Sequence, residues 1–203
     1  TSLVGLLQGK AVSHFVSHSW ATPFQHFVQC LQHHAAFTGA VNPTYWICSF
    51  ANNQWDIASE IGTDVLDSAF AKVLHSHLQG VVMVLDQQVQ PLTRVWCLFE
   101  FLLASERQHD LVFATDLGVL GDQGASPDIA LQVGRALRTL QVVNCLSSVE
   151  EDRQKIFQFI RSKMGSLANM DIQIKQRMSR ILQRLGTMPV NAHVALREGF
   201  LPA

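Results

Sequence analysis

The clearest signal along the chain is GVVMVLD at 80–86, a continuous apolar run of the kind found in strands buried on both faces of a parallel sheet. Four further segments read as strands: HFVSHSW at 14–20, TYWICSFA at 44–51, DLVFAT at 110–115 and the short QVVNCL at 141–146. Between them the apolar positions recur at helical spacing. Phe24, Phe27, Val28 and Leu31 form one stripe, with Thr22 as the expected N-cap and Pro23 at the first helical position. Val65, Leu66, Ala69, Phe70, Val73 and Leu74 form a second stripe over 64–78, after the polar stretch NNQWDIASEIG. A helix over 93–107 follows the clearest strand, and another runs from the Ser126–Pro127 cap pair to about residue 140. Ser148 and Glu151 have capping-box spacing and open a helix to 164. A last amphipathic helix covers 169–185, with Met178, Ile181, Leu182 and Leu185 on its apolar side.

Strand and helix thus alternate five times, which predicts an α/β domain whose parallel sheet is covered on both faces. In such sheets ligands bind outside the carboxyl ends of the strands, at the topological switch point. That rule selects Ser17 to Trp20, the Phe50 to Trp55 segment, Asp86 with its loop, Thr115–Asp116, and the first turns of the helices that follow.

Composition narrows the class. Among 203 residues, 48% are hydrophobic and 15% charged, which suits one globular domain with a full core. The formal net charge of −1 gives no overall pull toward nucleic acid or anionic membranes. No apolar run reaches the roughly 18 residues needed to span a bilayer. Both ends read as the boundaries of a piece cut from a larger protein. Cys30, Cys48, Cys97 and Cys145 are far apart with no C-x-x-C pair, so reduced buried thiols in a cytoplasmic chain are expected, with no metal site. His14 and His18 would lie roughly 13 Å apart on an extended strand, too far to share one ion. The Lys and Arg content is skewed, with 11 of the 15 from Arg135 onward and only Lys10, Lys72 and Arg94 in the first 100 residues. The basic C-terminal helices carry aromatics at helical spacing and interleaved acids, which marks a solvated face and not a nucleic-acid surface.

One residue stands out chemically. RVWCLFEF, residues 94–101, carries Glu100 as the only charge between Val95 and Ala104. Its helical neighbours at three and four positions are Trp96, Cys97, Leu103 and Ala104, so no ion pair forms along its own helix. A buried carboxylate is costly without a partner, which leaves a partner elsewhere in the fold, solvent in a cleft, or a ligand. Trp96 and Cys97 read as core. Trp20, Asn52, Asn53, Gln54 and Trp55 offer stacking faces and amides beside strand ends, suited either to a planar base or to a capped, solvated loop. Asp86 is placed to bind ribose hydroxyls or to cap the following loop. Arg94 is a candidate for a local carboxylate or a phosphate, and Ser17, Ser19 and Phe24 flank the crevice.

HFVSHSW resembles the opening strand of Toll/interleukin-1-receptor (TIR) domains, and GVVMVLDQQVQPLTRVWCLFEFLLA resembles their later strand, loop and helix. Trp96, Cys97 and Glu100 match the W-C-x-x-E motif of plant members position for position. The first strand is followed by SHSWATPF, where the plant pattern has arginine and acidic residues. The resemblance implies a flavodoxin-like five-stranded parallel sheet of order 2-1-3-4-5 over residues 13–164, with 1–12 as a lead-in and 165–203 as an additional helix and tail. It also implies a TIR-like NAD glycohydrolase with Glu100 as catalytic residue, NAD as substrate with no further cofactor, and self-association. Two alternatives stand beside it: a catalytically silent TIR-like assembly module, and a related nucleoside or deoxyribose transferase.

Overall fold

The computed structural model describes residues 11–53, 55–56, 62, 64–122 and 127–183. Strand β1 (His14–Ser17) leads to helix α1 (Phe24–Thr38), and β2 (Tyr45–Ile47) runs directly into the one-turn helix α2 (Cys48–Ala51). A 3-10 turn at Val65–Asp67 precedes α3 (Ala69–Leu74), then β3 (Gly80–Val84) and a second 3-10 turn at Gln90–Thr93. Helix α4 (Val95–Glu106), β4 (Leu111–Thr115), β5 (Gly118–Val119) and α5 (Pro127–Thr139) follow. After a 3-10 turn at Val142–Asn144, the chain ends in α6 (Glu150–Met164) and α7 (Leu167–Gln183). Among the described residues no helix is long and apolar enough to cross a membrane.

The strands form one sheet of order β2-β1-β3-β4-β5, with β1 to β4 parallel, so the expected α/β class and strand order hold. Alternation along each strand sorts its side chains to two faces. Phe15, Val81, Met83 and Phe113 join the larger core beneath α3 to α7, while Val16, Val82, Val84 and Ala114 pack against Phe27 and Cys30 of α1. Helix α4 is apolar all round because it lies at the centre of the larger face, with α3 and α6 against it. Its residues Leu98, Phe99, Phe101, Leu102 and Leu103 are fully buried. Helix α7 is part of the same core, since Met170, Ile174 and Met178 are fully buried within it.

The fifth strand is not the segment expected. Residues 141–146 form a 3-10 turn with a single parallel bridge, Arg94 to Leu146. Val142 and Cys145 are buried while Val143 and Leu146 face solvent, so burial repeats every third residue, the 3-10 period, and not every second. The fifth position is taken by Gly118–Val119, which folds back antiparallel on β4. Gly118 at φ 132 permits that tight return, and Thr115 Oγ1 donates to Gly118 O at 2.8 Å.

Helix starts also differ from the pattern. Pro23 is the N-cap of α1, Thr22 Oγ1 caps nothing, and Phe24 is 69% exposed, so the buried stripe of α1 is Phe27, Cys30 and His34. Val149 is the N-cap of α6, and Ser148 instead accepts from Arg94. The expected helix at 64–78 is a 3-10 turn and a shorter helix divided at Ser68, whose hydroxyl accepts from Ala71 N at 3.2 Å. The Ser126 part of its expected cap pair, and the helix end at Leu185, lie outside the described residues.

Phe99 ties this core to the cavity described next, because its ring meets Trp96 at 5.7 Å and Phe159 at 5.3 Å, both edge to face. Phe99→Ala is expected to destabilise the fold by about 3–5 kcal/mol, the usual result of emptying a full aromatic site. Urea unfolding of both proteins checks this, and a loss below about 1 kcal/mol would mean that the helix does not pack as described.

Candidate active site

A cavity of about 240 Å³ opens at the carboxyl ends of the strands, lined by residues of β1, α2, α3, α4 and the segment entering α6. It brings together Glu100, Trp20, Asn52, Arg94 and Trp96 of the residues singled out in the sequence. Glu100 is 5% exposed and reaches the cavity from the second turn of α4. Burial pushes its carboxyl up from an ordinary 4.5 to about 8, and the neighbouring Ser17 hydroxyl offsets this only in part. Neither Glu100 Oε2 nor Ser17 Oγ has a hydrogen-bond partner. At neutral pH the site therefore holds a mostly protonated acid with an open polar edge.

Aromatic rings form the walls. Trp96 stacks on Phe70 with centroids 5.1 Å apart, and its Nε1 donates to Asp152 Oδ2 at 3.3 Å. Trp20 is 62% exposed at the rim, held by a bond from its Nε1 to Cys48 Sγ at 3.2 Å. Arg94 donates to Ser148 Oγ at 3.1 Å and has no carboxylate within 4.0 Å among the described residues.

The strand-end rule reached His18, within Ser17 to Trp20, but the pattern of residue types missed Phe70, Asp152 and Ser147 to Val149 as lining residues. His18 lies on the wall with Nδ1 buried and unpartnered, and burial lowers its imidazole to about 4, so it is neutral at physiological pH. Asp152, one of the interleaved acids that the sequence places on a solvated face, is buried in the first turn of α6. Ser147 to Val149 close the cavity because Arg153 staples the preceding turn, with Nε donating to Cys145 O at 2.8 Å and Nη2 to Val143 O at 2.6 Å. Only the Trp96 spacing to Phe70 through space, invisible in sequence, makes an aromatic wall of two separated helices.

Other expected residues fall outside this cavity. Asp86 caps the loop after β3, with Oδ1 accepting from Gln90 N at 2.8 Å, and borders a separate small recess with Thr115 and Asp116. That loop holds Val89 at φ 55, a strained conformation for a β-branched residue. Ser19 is buried and its hydroxyl donates to Gln90 Oε1 at 3.2 Å. Asn53 Oδ1 accepts from Trp55 N at 3.2 Å, the turn-capping role, and Trp55 is 96% exposed. Ser17 contacts Glu100 from behind, Phe24 points to solvent, and Gln54 lies outside the described residues. Cys97, by contrast, borders the cavity, but it packs as core: its thiol donates to His18 O at 3.6 Å and burial raises it far above the range of a reactive thiolate.

Comparison of the chain with protein-family models, with curated proteins and with solved structures found no match.

The raised Glu100 carboxyl makes the fold sensitive to pH in a defined direction. Its protonated form is favoured in the folded chain, so this contribution to stability is complete below about 4.5 and is lost as pH rises to about 8. Glu100→Gln is therefore expected to match the parent near pH 4.5 and to exceed it by several kcal/mol at pH 9. Denaturant unfolding at both pH values checks this, and a variant less stable at pH 9 would point to a structural ion pair.

Proposed function

We propose that the chain is a TIR-like NAD glycohydrolase that cleaves the nicotinamide–ribose bond with Glu100 as its catalytic carboxyl. The observation that carries this reading is the unpartnered Glu100 Oε2 in a cavity walled by Trp20, Phe70 and Trp96, inside the W-C-x-x-E match. Aromatic faces beside an acidic group favour a flat cation such as a pyridinium. Entry of that cation lowers the cost of ionising Glu100 by placing positive charge next to it.

The chemistry then follows from the residues present. Nicotinamide leaves with the electrons of the broken C–N bond and is neutral as it departs, so it needs no general acid. The oxocarbenium-like ribose is stabilised by the Glu100 carboxylate. Water adds to the same carbon, and its proton has Glu100 as acceptor, a carboxylate of suitably high basicity. The products are nicotinamide, ADP-ribose and a proton; attack by a ring nitrogen of the adenine in place of water gives a cyclic product.

Chromatography of NAD incubated with the purified chain tests the reading. Because kcat/KM reports groups of the free enzyme, its logarithm is expected to rise with unit slope below about pH 8 and level off above. Glu100→Gln is expected to abolish turnover at every pH. A flat profile between pH 6 and 9 with Glu100→Gln still active would remove Glu100 from the mechanism.

The assembly alternative draws on the exposed aromatics Trp20, Phe24, Phe50 and Trp55 near this end of the sheet. It is favoured if NAD is not consumed at any protein concentration. A specific activity that climbs with concentration joins the two readings in one self-associating enzyme.

Affinity separates the two kinds of contact offered by the rim. Trp20→Ala is expected to weaken NAD binding in the Glu100→Gln background by about 1–3 kcal/mol, the loss of a stacking face. Arg94→Ala is expected to cost about 1 kcal/mol or less, because Arg94 already spends a donor on Ser148. Titration calorimetry gives both values, and the reverse order would place the dinucleotide on the Arg94 side of the cavity.

A further inference from the structure

A second and larger concavity, about 720 Å³, lies at the opposite end of the sheet, where β1, β3 and β4 begin. Its walls carry His14, His34, Phe37, Asp110, Arg177 and Arg180, none of which touches the Glu100 cavity. Arg177 and Arg180 stand one turn apart on α7; burial disfavours the charge on Arg177, and the neighbouring Arg180 adds to that effect. Among the described residues neither guanidinium has a carboxylate within 4.0 Å. Asp110 acts on Arg177 from a longer distance and neutralises only part of the pair. Arg177 is held in place by its bond from Nη2 to His109 O at 3.0 Å and by the Phe101 ring at 6.0 Å.

The two imidazoles on the other wall are buried and packed edge to face at 4.8 Å. Each has its Nδ1 engaged, His14 with Ser13 Oγ at 2.8 Å and His34 with Tyr45 OH at 2.9 Å. Neither Nε2 forms a hydrogen bond with the described residues. Burial keeps both rings neutral at physiological pH, so they offer hydrogen bonds and not charge. Half-exposed Phe37 adds an apolar face beside them. Two guanidiniums only partly compensated by Asp110, opposite neutral polar rings, match a molecule with an anionic end and an uncharged, hydroxyl-bearing body. The volume is within the range of small-molecule sites.

We propose that this groove is a second ligand site, for a phosphorylated small molecule whose phosphate meets Arg177 and Arg180 and whose body lies along His14, His34 and Phe37. It is separate from the Glu100 cavity and does not depend on the activity assigned there.

Titration calorimetry with ADP, inorganic pyrophosphate and adenosine at low ionic strength tests the assignment on the whole chain. ADP is expected to bind more tightly than pyrophosphate, and adenosine much more weakly than either. Exposed Arg180→Glu is expected to lower ADP affinity about tenfold or more with no change in melting temperature, the loss of a charge-assisted contact. Arg177→Lys, which keeps the charge but not the fork, is expected to weaken ADP less than Arg180→Glu does. The effect of Arg180→Glu on ADP affinity is expected to be the same in a Trp20→Ala background, which removes a stacking face of the other cavity. No ADP binding at millimolar concentration, an unaltered affinity in Arg180→Glu, or an Arg180→Glu effect that disappears in the Trp20→Ala background would overturn the proposal. Pyrophosphate binding as tightly as ADP would overturn the part assigned to His14, His34 and Phe37.

Discussion

The carboxyl of Glu100 is buried on a helix that is apolar on every side, and much of the architecture follows from enclosing that helix. An all-round apolar helix has no solvent face, so it must be covered by the sheet beneath and by helices on either flank. Helices α3 and α6 supply that cover. Covering it also removes water from Glu100, and that burial raises its carboxyl to about 8, with the Ser17 hydroxyl offsetting only part of the effect. The same packing that stabilises the fold thus places a weakened acid at the end of the strands. A polar group left in that condition has a cost in stability.

The cavity around Glu100 depends on contacts between segments far apart in the chain. Trp96 on α4 is fixed between Phe70 on α3 and the carboxylate of Asp152 on α6. Arg153, next to Asp152, pins the turn that carries Ser147 to Val149 over the opening. Helix α6 therefore contributes a wall, a hydrogen-bond acceptor and the support of a rim. Its acidic first turn, which favours the positive end of the helix dipole, also serves these roles.

Strand β1 links the two ends of the molecule. His14 at its start borders the larger groove, and His18 just past its end borders the Glu100 cavity. Three residues of extended chain separate the two imidazoles in sequence, and the strand holds them at opposite ends of the sheet. The cationic side chains follow the same division. Arg94 is the cation at the Glu100 end, whereas Arg177 and Arg180 border the far groove. The skew of Lys and Arg toward the C-terminal part of the chain thereby becomes a difference between two sites.

The amino-acid pattern alone determined the parallel strands, because GVVMVLD and LVFAT are near-continuous apolar runs that suit a doubly covered sheet, and HFVS takes its place in the same alternation of strand and helix. It also determined that Glu100 is enclosed, since no neighbour on its own helix offers a charge. Tertiary structure decided the rest. Residues 141–146 have strand-like composition, yet Asp171 on α7 captures Val142 N at 2.7 Å and the Cys145 thiol bonds Leu92 O, which holds a 3-10 turn in place of a strand. The polar groups flagged as ligand candidates, Asp86, Ser19 and Asn53, were claimed by local loop caps, a competition that Asp, Ser and Asn enter wherever a backbone N–H is free. His18, Phe70 and Asp152 joined the cavity because strand β1 and helices α3 and α6 converge there. Periodicity reports which face of an element is buried, but long-range packing sets which elements meet.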